Sequence, residues 1–333
     1  MAVFKELNQN DIKTDRSALE QLVDILQNVI SSSATRKSYQ VWISGGLGPG
    51  VTSSLFQTIF DQDYSLQTAN PVFDITFGLS VSSSLVTEAT TSVDTTTNKY
   101  YFSSQSLMMR EKIDIYKTFA QNLLGDANEE FILTSGSTDS TIREPMFVAF
   151  KRIFSRDRIK REAFAIKLFQ TTSFISTTAV SQSIFTDVGS STNVEQSYGG
   201  QVSTIVNSAT SSYPVGLLYL DKGILVLDTQ RIFDTGTNFS GSIDAISLSG
   251  ATPFTGSFNK FLVSASLDDI CNHVCETRFS SSSDSSIVFQ NQTYLNSSIF
   301  FCRFGADEFN YSSNPTYTDS TGRIVVIDPG QEE

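Results

Sequence analysis

The stretch Val215-Gly-Leu-Leu-Tyr-Leu-Asp-Lys-Gly-Ile-Leu-Val-Leu-Asp228 decides the fold of the C-terminal half. Two short apolar runs flank Asp221-Lys222-Gly223, and a Gly-containing turn between such runs is typical of antiparallel strands. The sequence therefore predicts a tight hairpin over 215–228. Short apolar runs separated by Ser, Thr, Gly and Asn dominate from about residue 170 onward. We expect residues 171–333 to be a mainly β region.

Three later runs extend this pattern toward the C-terminus. Each is short, apolar and bounded by polar or Gly-containing segments, as expected for strands of a packed sheet. No repeat of fixed period accompanies them, so a solenoid or propeller is not indicated. The predicted strands are Ile287–Phe289, Ser298–Arg303 and Ile324–Ile327.

Residues 39–170 read as a mixed α/β region. The clearest helix covers 106–124, because its apolar residues share one helical face and Gly125 follows where a C-terminal glycine is favoured. A second helix is predicted to start at Pro145, since proline suits a first helical turn. The remaining predictions are strands at Tyr39–Ile43 and Val72–Leu79 and a third helix from Asp157 to Phe169.

The first 38 residues are predicted to form an N-terminal helical arm. Asp15 can cap a helix over 15–31, in which apolar residues recur at spacings of three and four. This helix could pack on its own domain or dock on a neighbouring subunit. The predicted fold class is therefore α+β, with an N-terminal helical arm at 1–38, a helix-containing middle region at 39–170 and a strand-rich C-terminal half at 171–333.

Charge and hydropathy disfavour several classes of partner. The 333 residues carry a net charge of −12 with a pI near 4.6, whereas a nucleic-acid binder needs a positive face. A membrane span needs about 18 consecutive apolar residues, and the sequence has no such run. The N-terminal residues also lack the apolar stretch of a signal peptide. We expect no nucleic-acid or membrane partner, and synthesis in a cytoplasm.

Catalytic and cofactor chemistry finds little support in the sequence. His273 is the one histidine of the chain, and there is no Gly-x-Ser-x-Gly elbow. The loop at 45–50 is rich in glycine, but Val51 occupies the position where a P-loop needs lysine, so an ordinary turn is favoured. We expect a protein without enzymatic activity and without a cofactor.

The segment Cys271-Asn-His273-Val-Cys275 is the one metal-like cluster. Together with Cys302 it could supply four ligands of the kind that zinc prefers. However, the apolar residues Leu267, Ile270, Cys271 and Val274 predict a helix for this segment. On a helix, Cys271 and Cys275 share a face and His273 points elsewhere. Buried free cysteine is common, so plain packing is favoured over a metal site.

A basic stretch lies between residues 151 and 167. It holds seven of the 23 basic residues and only two acids, Asp157 and Glu162. The stretch could be a solvated surface that balances acids elsewhere in the same domain. It could also dock on an acidic patch of another subunit, or, as a residual alternative, contact nucleic acid. Its residues are Lys151, Arg152, Arg156, Arg158, Lys160, Arg161 and Lys167.

Several blocks of the sequence resemble the virion structural proteins of T4-like cyanophages and related marine myoviruses. The blocks are Met1–Leu7, Tyr39–Phe60, Asn70–Asp74, Ser106–Lys112, Phe150–Asp157 and Asp307–Asp328.

The resemblance implies a structural subunit of the tail or baseplate, located in the virion and bound to other phage structural proteins as a homo- or hetero-oligomer. It transfers no catalytic residue. A neck or capsid-associated protein is the alternative within virions. A receptor- or glycan-binding module with exposed aromatic residues is the alternative from another class, and a glycan-cleaving enzyme would require a carboxylate pair.

The C-terminal block also contains a predicted contact loop. Tyr311, Pro315 and Tyr317 can stiffen this loop, and the apolar run Ile324–Ile327 follows it. Because the chain stops soon after this run, we expect that strand to be an edge completed by another subunit. Tyr311 and Tyr317 are therefore candidate partner-binding residues together with the basic stretch.

Overall fold

The structure is a computed structural model in which the chain forms two compact units. One unit is Met1–Leu19 with Tyr294–Glu333, and the other is Glu20–Thr293. Strands β1 and β14, defined below, contribute residues to both units. The residues that the structure describes are 6–25, 42–44, 55–60, 68, 70–86, 107–135, 138–171, 179–192, 195–233, 258, 262–263, 265–274, 287–302 and 320–321.

Fourteen described strands and four described helices have defined bounds. The strands are β1 Ile12–Ile25, β2 Trp42–Ser44, β3 Gln57–Phe60, β4 Pro71–Phe77, β5 Phe131–Ser135, β6 Thr138–Ile142, β7 Pro145–Phe150, β8 Arg158–Thr171, β9 Ala179–Thr186, β10 Glu195–Ser197, β11 Gly200–Asn207, β12 Thr210–Tyr219, β13 Ile224–Asp228 and β14 Ile287–Phe300. The helices are α1 Leu107–Leu123, α2 Arg152–Ser155, α3 Thr229–Ile232 and α4 Leu267–Val274. A 3-10 turn at Gln9–Asp11 precedes β1.

One large antiparallel sheet organises the unit Glu20–Thr293. Its strands run in the order β1-β14-β8-β9-β11-β12-β13-β7-β4-β3-β2, and β10 pairs with β11 beside this path. Strands β5 and β6 form a separate two-stranded hairpin. None of the described helices is both long enough and apolar enough to cross a membrane.

The predicted hairpin over 215–228 lies at the centre of this sheet and is confirmed. Strand β12 pairs with β13, and Gly223 in the turn adopts a left-handed φ of 65°. All five residues of β13 are buried, between β12 and β7. Gly216 is required here, because a Cβ at this position would lie 2.4 Å from the carbonyl oxygen of Val226.

Helix α1 and strand β5 cover one face of the central strands. The ring of Phe119 in α1 stacks on Phe147 of β7 with a centroid separation of 4.0 Å. Phe131 of β5 contacts the rings of Phe147 and Tyr219 edge-on. Because neighbouring residues of a strand point to opposite faces, Met146 and Val148 point to the other side of the sheet.

Helix α4 and Phe258 cover that other face. Phe77 pairs with Met146 in the sheet register, and its ring centroid lies 6.2 Å from that of Phe258. Gln57 and Ile75 share this face, and the Gln57 amide donates to Asp268 of α4. The central strands are thus buried on both faces, which is why they read as continuous apolar runs instead of an alternating pattern.

A buried lysine connects the two covering layers. Lys112 of α1 is fully buried, and its Nζ donates to the backbone oxygens of Leu262, at 2.6 Å, and Ala265, at 2.7 Å. These two carbonyls lie just before α4. Because an ammonium group without partners is costly to bury, the two hydrogen bonds fix α1 and the segment preceding α4 to each other.

The predicted α+β class is wrong, because the described chain is mostly β-sheet. Residues 12–25, predicted as part of the helical arm, form strand β1. Pro145–Phe150, predicted as a helix start, is the buried strand β7. A short apolar run fits a buried strand and a buried helix equally well. Here the run pairs with β13 on one side and β4 on the other, which makes it a strand. The predicted helices at 106–124 and around 267–274 are confirmed as α1 and α4.

The third predicted helix of the middle region is strand β8, and a bulge explains the error. Ile159, Phe164, Ile166 and Leu168 are buried, so the period of two is broken between 159 and 164. Glu162 lies in that interval with a left-handed φ of 58°. The buried Asp187 carboxylate accepts the backbone N–H groups of Glu162 and Phe164, which stabilises the bulge.

The predicted strands near the C-terminus have mixed outcomes. The runs at 287–289 and 298–303 were predicted as two strands, but one long strand, β14, spans Ile287–Phe300. Polar residues between the runs are compatible with β14 because its second half is exposed. The predicted strand Ile324–Ile327 and the Gly-rich loop at 45–50 lie outside the described residues.

We predict that Lys112→Met destabilises the fold by about 2 kcal/mol or more, because the buried Leu262 carbonyl and the partly buried Ala265 carbonyl lose their donor. Urea denaturation followed by circular dichroism measures this loss. Lys117→Met, at a half-buried lysine of the same helix, is the matched control and should stay within about 0.5 kcal/mol of the wild type. Equal losses for the two variants would show that Lys112 does not hold the layers together.

Candidate assembly surface

The smaller unit contains a two-stranded ribbon, formed by Ile12–Leu19 of β1 and Tyr294–Phe300 of β14. The Phe301 N–H donates to the Asp11 oxygen at 2.8 Å, and the Ser297 hydroxyl approaches the Asp15 oxygen at 3.4 Å. Residue numbers rise along one strand as they fall along the other, so the strands are antiparallel. This register places Asp15 opposite Ser297 and Ile12 opposite Phe300.

The register also assigns side chains to the two faces of the ribbon. Residues directly opposite each other share a face, and successive residues alternate. Ile12, Arg16 and Phe300 therefore lie on one face, whereas Leu295 and Ile299 lie on the other. The Arg16 guanidinium sits 3.9 Å from the centre of the Tyr294 ring, a cation–π contact on the first face.

Both faces of the ribbon are exposed. Every residue of β1 from Ile12 to Leu19 is exposed, as is every residue from Leu295 to Cys302. The large apolar residues of this region have exposures between 39% and 62%, so neither face has a core. They are Ile12, Leu19, Leu295, Ile299, Phe300 and Phe301.

Strand β1 also presents an edge. Among the described strands, β14 is the one neighbour of β1 in the sheet order. An edge strand exposes backbone donors and acceptors that can pair with another chain. Apolar spacings of three and four predict a helix over 15–31, and that prediction conceals this edge. The run Asn291–Phe301 mixes polar and apolar residues, as an exposed strand does. It could have indicated that another exposed strand pairs with it.

The basic stretch is not a single surface. The Lys151 ammonium pairs with Asp74 at 2.7 Å, and Lys160 pairs with Glu20 at 2.5 Å. Side-chain hydrogen bonds from Lys160 and Gln292 hold the pKa of Glu20 below its ordinary value.

The arginines of the stretch divide into two groups. Arg158 is largely buried, bonds Gln201 at 2.5 Å and lies 3.8 Å from Asp221. Arg161 donates to the Ser190 backbone oxygen at 2.6 Å. Arg152 and Arg156 are exposed. Most of the candidate cations thus have partners in the same chain. This favours a surface whose charges are balanced by acids of the same chain over a continuous docking patch.

The remaining candidate residues from the sequence are dispersed or undescribed. Tyr311 and Tyr317 lie outside the described residues. Cys271 is buried in α4 against the Ile75 carbonyl, and burial raises the pKa of its thiol, whereas Cys302 is exposed. In the described part of the chain, no group of three or more metal-ligating side chains is brought together.

Two buried carboxyl groups, which are not among the residues predicted from the sequence, lie near the turn between β13 and α3. Asp228 caps α3 by accepting the Gln230 N–H at 3.0 Å, and the Arg231 guanidinium lies 3.4 Å away. Burial raises the pKa of Asp228 to about 7. Glu144 accepts the Ser83 hydroxyl, and burial raises its pKa as well. An Asp at the end of an apolar run before Thr-Gln-Arg-Ile is a recognisable N-cap signal.

A shallow open pocket of about 570 Å³ lies beside Tyr198, whose side chain is mostly exposed. Two of its polar lining residues already bond the backbone nearby. Gln121 donates to the Gly125 oxygen, and Thr118 donates to the Asp114 oxygen. The pocket therefore offers the Tyr198 ring together with the polar side chains of Lys117 and Asn122.

Comparison with known proteins identifies no relative. No family model, no curated protein and no solved structure matches the chain.

We predict that Arg158→Glu lowers the free energy of unfolding by about 2 kcal/mol, because it places a carboxylate beside Asp221 in a largely buried site. Arg152→Glu, at an exposed arginine seven-tenths accessible to solvent, should change it by less than about 0.5 kcal/mol. Thermal denaturation of both variants gives the comparison. Similar losses would indicate that the exposed and the enclosed arginines have the same role.

A second prediction concerns the pH dependence of stability. The pKa of Asp228 is raised by folding, so the folded state binds its proton more tightly, and stability from this group is present at pH 4 and lost as pH rises through about 7. Asp228→Asn removes that titration. Between pH 4 and pH 8, the free energy of unfolding of the variant should therefore rise relative to that of the wild type by on the order of a few kcal/mol. Parallel stability curves for the two proteins would show that Asp228 ionises normally in the fold.

Proposed function

We propose that the protein is a non-enzymatic structural subunit of a contractile-tailed phage particle, in the baseplate or tail, and that it acts by binding other subunits. The observation that carries the proposal is the ribbon, with its exposed apolar residues and its edge strand. Two paired strands with no covered face gain little stability of their own in water. A partner that covers it would stabilise both the ribbon and the assembly.

The energetic gain from covering the ribbon is substantial. Fully burying a side chain such as Ile, Leu or Phe stabilises by about 1.5–3 kcal/mol, and the apolar residues of the ribbon are roughly half exposed. Each therefore offers about 1 kcal/mol on docking. Exposed apolar patches of this kind typically mark interaction sites in soluble proteins.

The kind of particle is supported by sequence resemblance. The blocks that resemble virion structural proteins of marine myoviruses include Met1–Leu7 and Asp307–Asp328, which belong to the same compact unit as the ribbon. The net charge of −12 disfavours a role in packaging nucleic acid and fits protein partners. A neck or capsid-associated position is the alternative within the same class.

The alternatives from other classes receive less support from the geometry. A glycan-binding module would use an exposed aromatic such as Tyr198, but two of the polar side chains beside it, Thr118 and Gln121, already bond the backbone. A hydrolase would need accessible carboxylates, whereas Asp228 and Glu144 are buried and bond structural groups. Subunit binding is therefore the favoured function.

Quantitative mass spectrometry of separated heads and tails tests this proposal. The protein should occur in the tail fraction, and Phe300→Asp should reduce its incorporation by at least tenfold, because a charge would be placed in the buried contact. Ser298→Asp is the matched control, since it adds the same charge two residues away on the same face at a polar position. It should reduce incorporation less.

Two results would contradict the proposal. Recovery of the protein in heads alone, or its absence from particles, would refute the tail or baseplate assignment. Full incorporation of Phe300→Asp would show that the ribbon is not the assembly surface.

A further inference from the structure

We propose that the ribbon binds the ribbon of a second copy of this chain, by antiparallel pairing of the two β1 edges around Ser17. This inference rests on the proposed function and specifies its partner. The pairing would join β14 and β1 of each copy into a four-stranded sheet. The reasons are the direction of the backbone groups of β1, the positions of its charges and the apolar residues on both faces.

The backbone of β1 has a defined polarity across the strand. The carbonyl oxygens of Asp11 and Asp15 both face β14, since they accept from Phe301 and lie beside the Ser297 hydroxyl. In an antiparallel ladder the hydrogen-bonding groups of successive residues point to opposite sides. The N–H and C=O groups of Ile12, Thr14 and Ala18 and the C=O group of Arg16 are therefore directed at the outer edge, where the Asp15 carboxylate accepts the Arg16 N–H at 2.9 Å.

This polarity restricts how two copies can pair. Outward-directed residues must oppose each other, so an even-numbered residue of one copy faces an even-numbered residue of the other. The two-fold axis then passes through a residue pair. An axis at Asp15 would place two carboxylates opposite each other, and an axis at Arg16 would do the same with two guanidinium groups. Like charges directly opposite are destabilising.

An axis at Ser17 avoids every such conflict in the ribbon. Ser17 then faces Ser17, Arg16 faces Ala18 and Asp15 faces Leu19, so each charged side chain opposes an uncharged one. An axis at Thr14 would pair few residues, because β1 begins at Ile12. An axis at Ala18 would place Arg16 opposite Glu20. The Glu20 carboxylate already accepts hydrogen bonds from Lys160 and Gln292, so Arg16 would compete with these donors.

Pairing with a second copy also completes the sheet. Three or more strands with an apolar face are needed for independent stability, and two ribbons supply four. The exposed apolar residues of both copies, such as Ile299 and Phe300, would then lie on continuous faces of one sheet. The paired edge is short compared with the interface of a stable dimer, so we expect a weak association that covalent capture can detect.

Disulfide capture of the full-length chain tests the pairing. Ser17→Cys is introduced together with Cys302→Ser, which removes the exposed native thiol. The backbone groups of Ser17 point toward β14, so the Ser17 pair is of the non-hydrogen-bonded type, with Cα atoms about 4.5 Å apart. That separation permits a disulfide. After mild oxidation, we expect a covalent dimer on non-reducing electrophoresis.

Thr14→Cys in the same background is the matched control. Thr14 is equally exposed on β1, but a Ser17 axis offsets the two Thr14 residues by six positions, or about 20 Å. Its dimer yield measures random collision and should be at least fivefold lower. Adding Ala18→Pro to Ser17→Cys deletes an outward donor and should reduce the dimer to the level of this control.

The outcomes separate this inference from the proposed function. A Ser17→Cys yield no higher than that of Thr14→Cys, with circular dichroism showing a folded chain, would overturn self-pairing, while tail localisation could still hold with a different partner. A higher yield for Thr14→Cys would overturn the Ser17 axis. Conversely, efficient capture at Ser17 would support self-pairing even if the protein were found outside tails.

Discussion

Strand β13 has no solvent-facing side, and the larger unit is arranged to satisfy that constraint. Its neighbours β12 and β7 pair with its backbone, so its side chains must be covered by separate layers above and below. Helix α1 and strand β5 supply one layer through Phe119 and Phe131, and Phe258 and helix α4 contribute to the other. Lys112 joins the layers by hydrogen bonds that are strong because the site excludes water.

The ribbon is the opposite case to β13, because its side chains are exposed on both faces. Its strands are paired along one side, yet neither face is covered and the edge of β1 has one described neighbour. A sheet that buries both faces is complete within one chain, whereas a ribbon that exposes both faces gains stability from an additional chain. The contrast between β13 and β1 is the physical basis for assigning assembly to the ribbon, not to the basic stretch.

Local sequence patterns predicted the β12–β13 hairpin and helix α1 correctly. The β12–β13 hairpin follows from two apolar runs and a glycine turn, and α1 follows from an amphipathic pattern that ends before Gly125. Two strands of the middle region, β7 and β8, were missed, each for its own reason. Pro145–Phe150 has no periodicity because both of its faces are buried, and the period of β8 is interrupted by the bulge at Glu162.

The site was harder to predict than the fold, because it depends on contacts between distant residues. Clustering of Lys151, Arg158 and Lys160 in sequence predicted a docking patch, but their partners Asp74, Asp221 and Glu20 come from three different strands or turns. The exposed edge of β1 was concealed by apolar spacings that also fit a helix. Only pairing with β14, almost three hundred residues away, distinguishes a strand from a helix there.

Hydrogen exchange is the most direct measurement of whether the ribbon is an assembly surface. The backbone amides of Ile12, Thr14 and Ala18 should exchange rapidly in the free chain, because they point away from β14, the one described neighbour of β1. In assembled particles, their exchange should slow by at least tenfold, while the amides of β13 should remain protected in both states. Equal exchange of residues 12–19 in the free chain and in particles would contradict the assembly role of the ribbon.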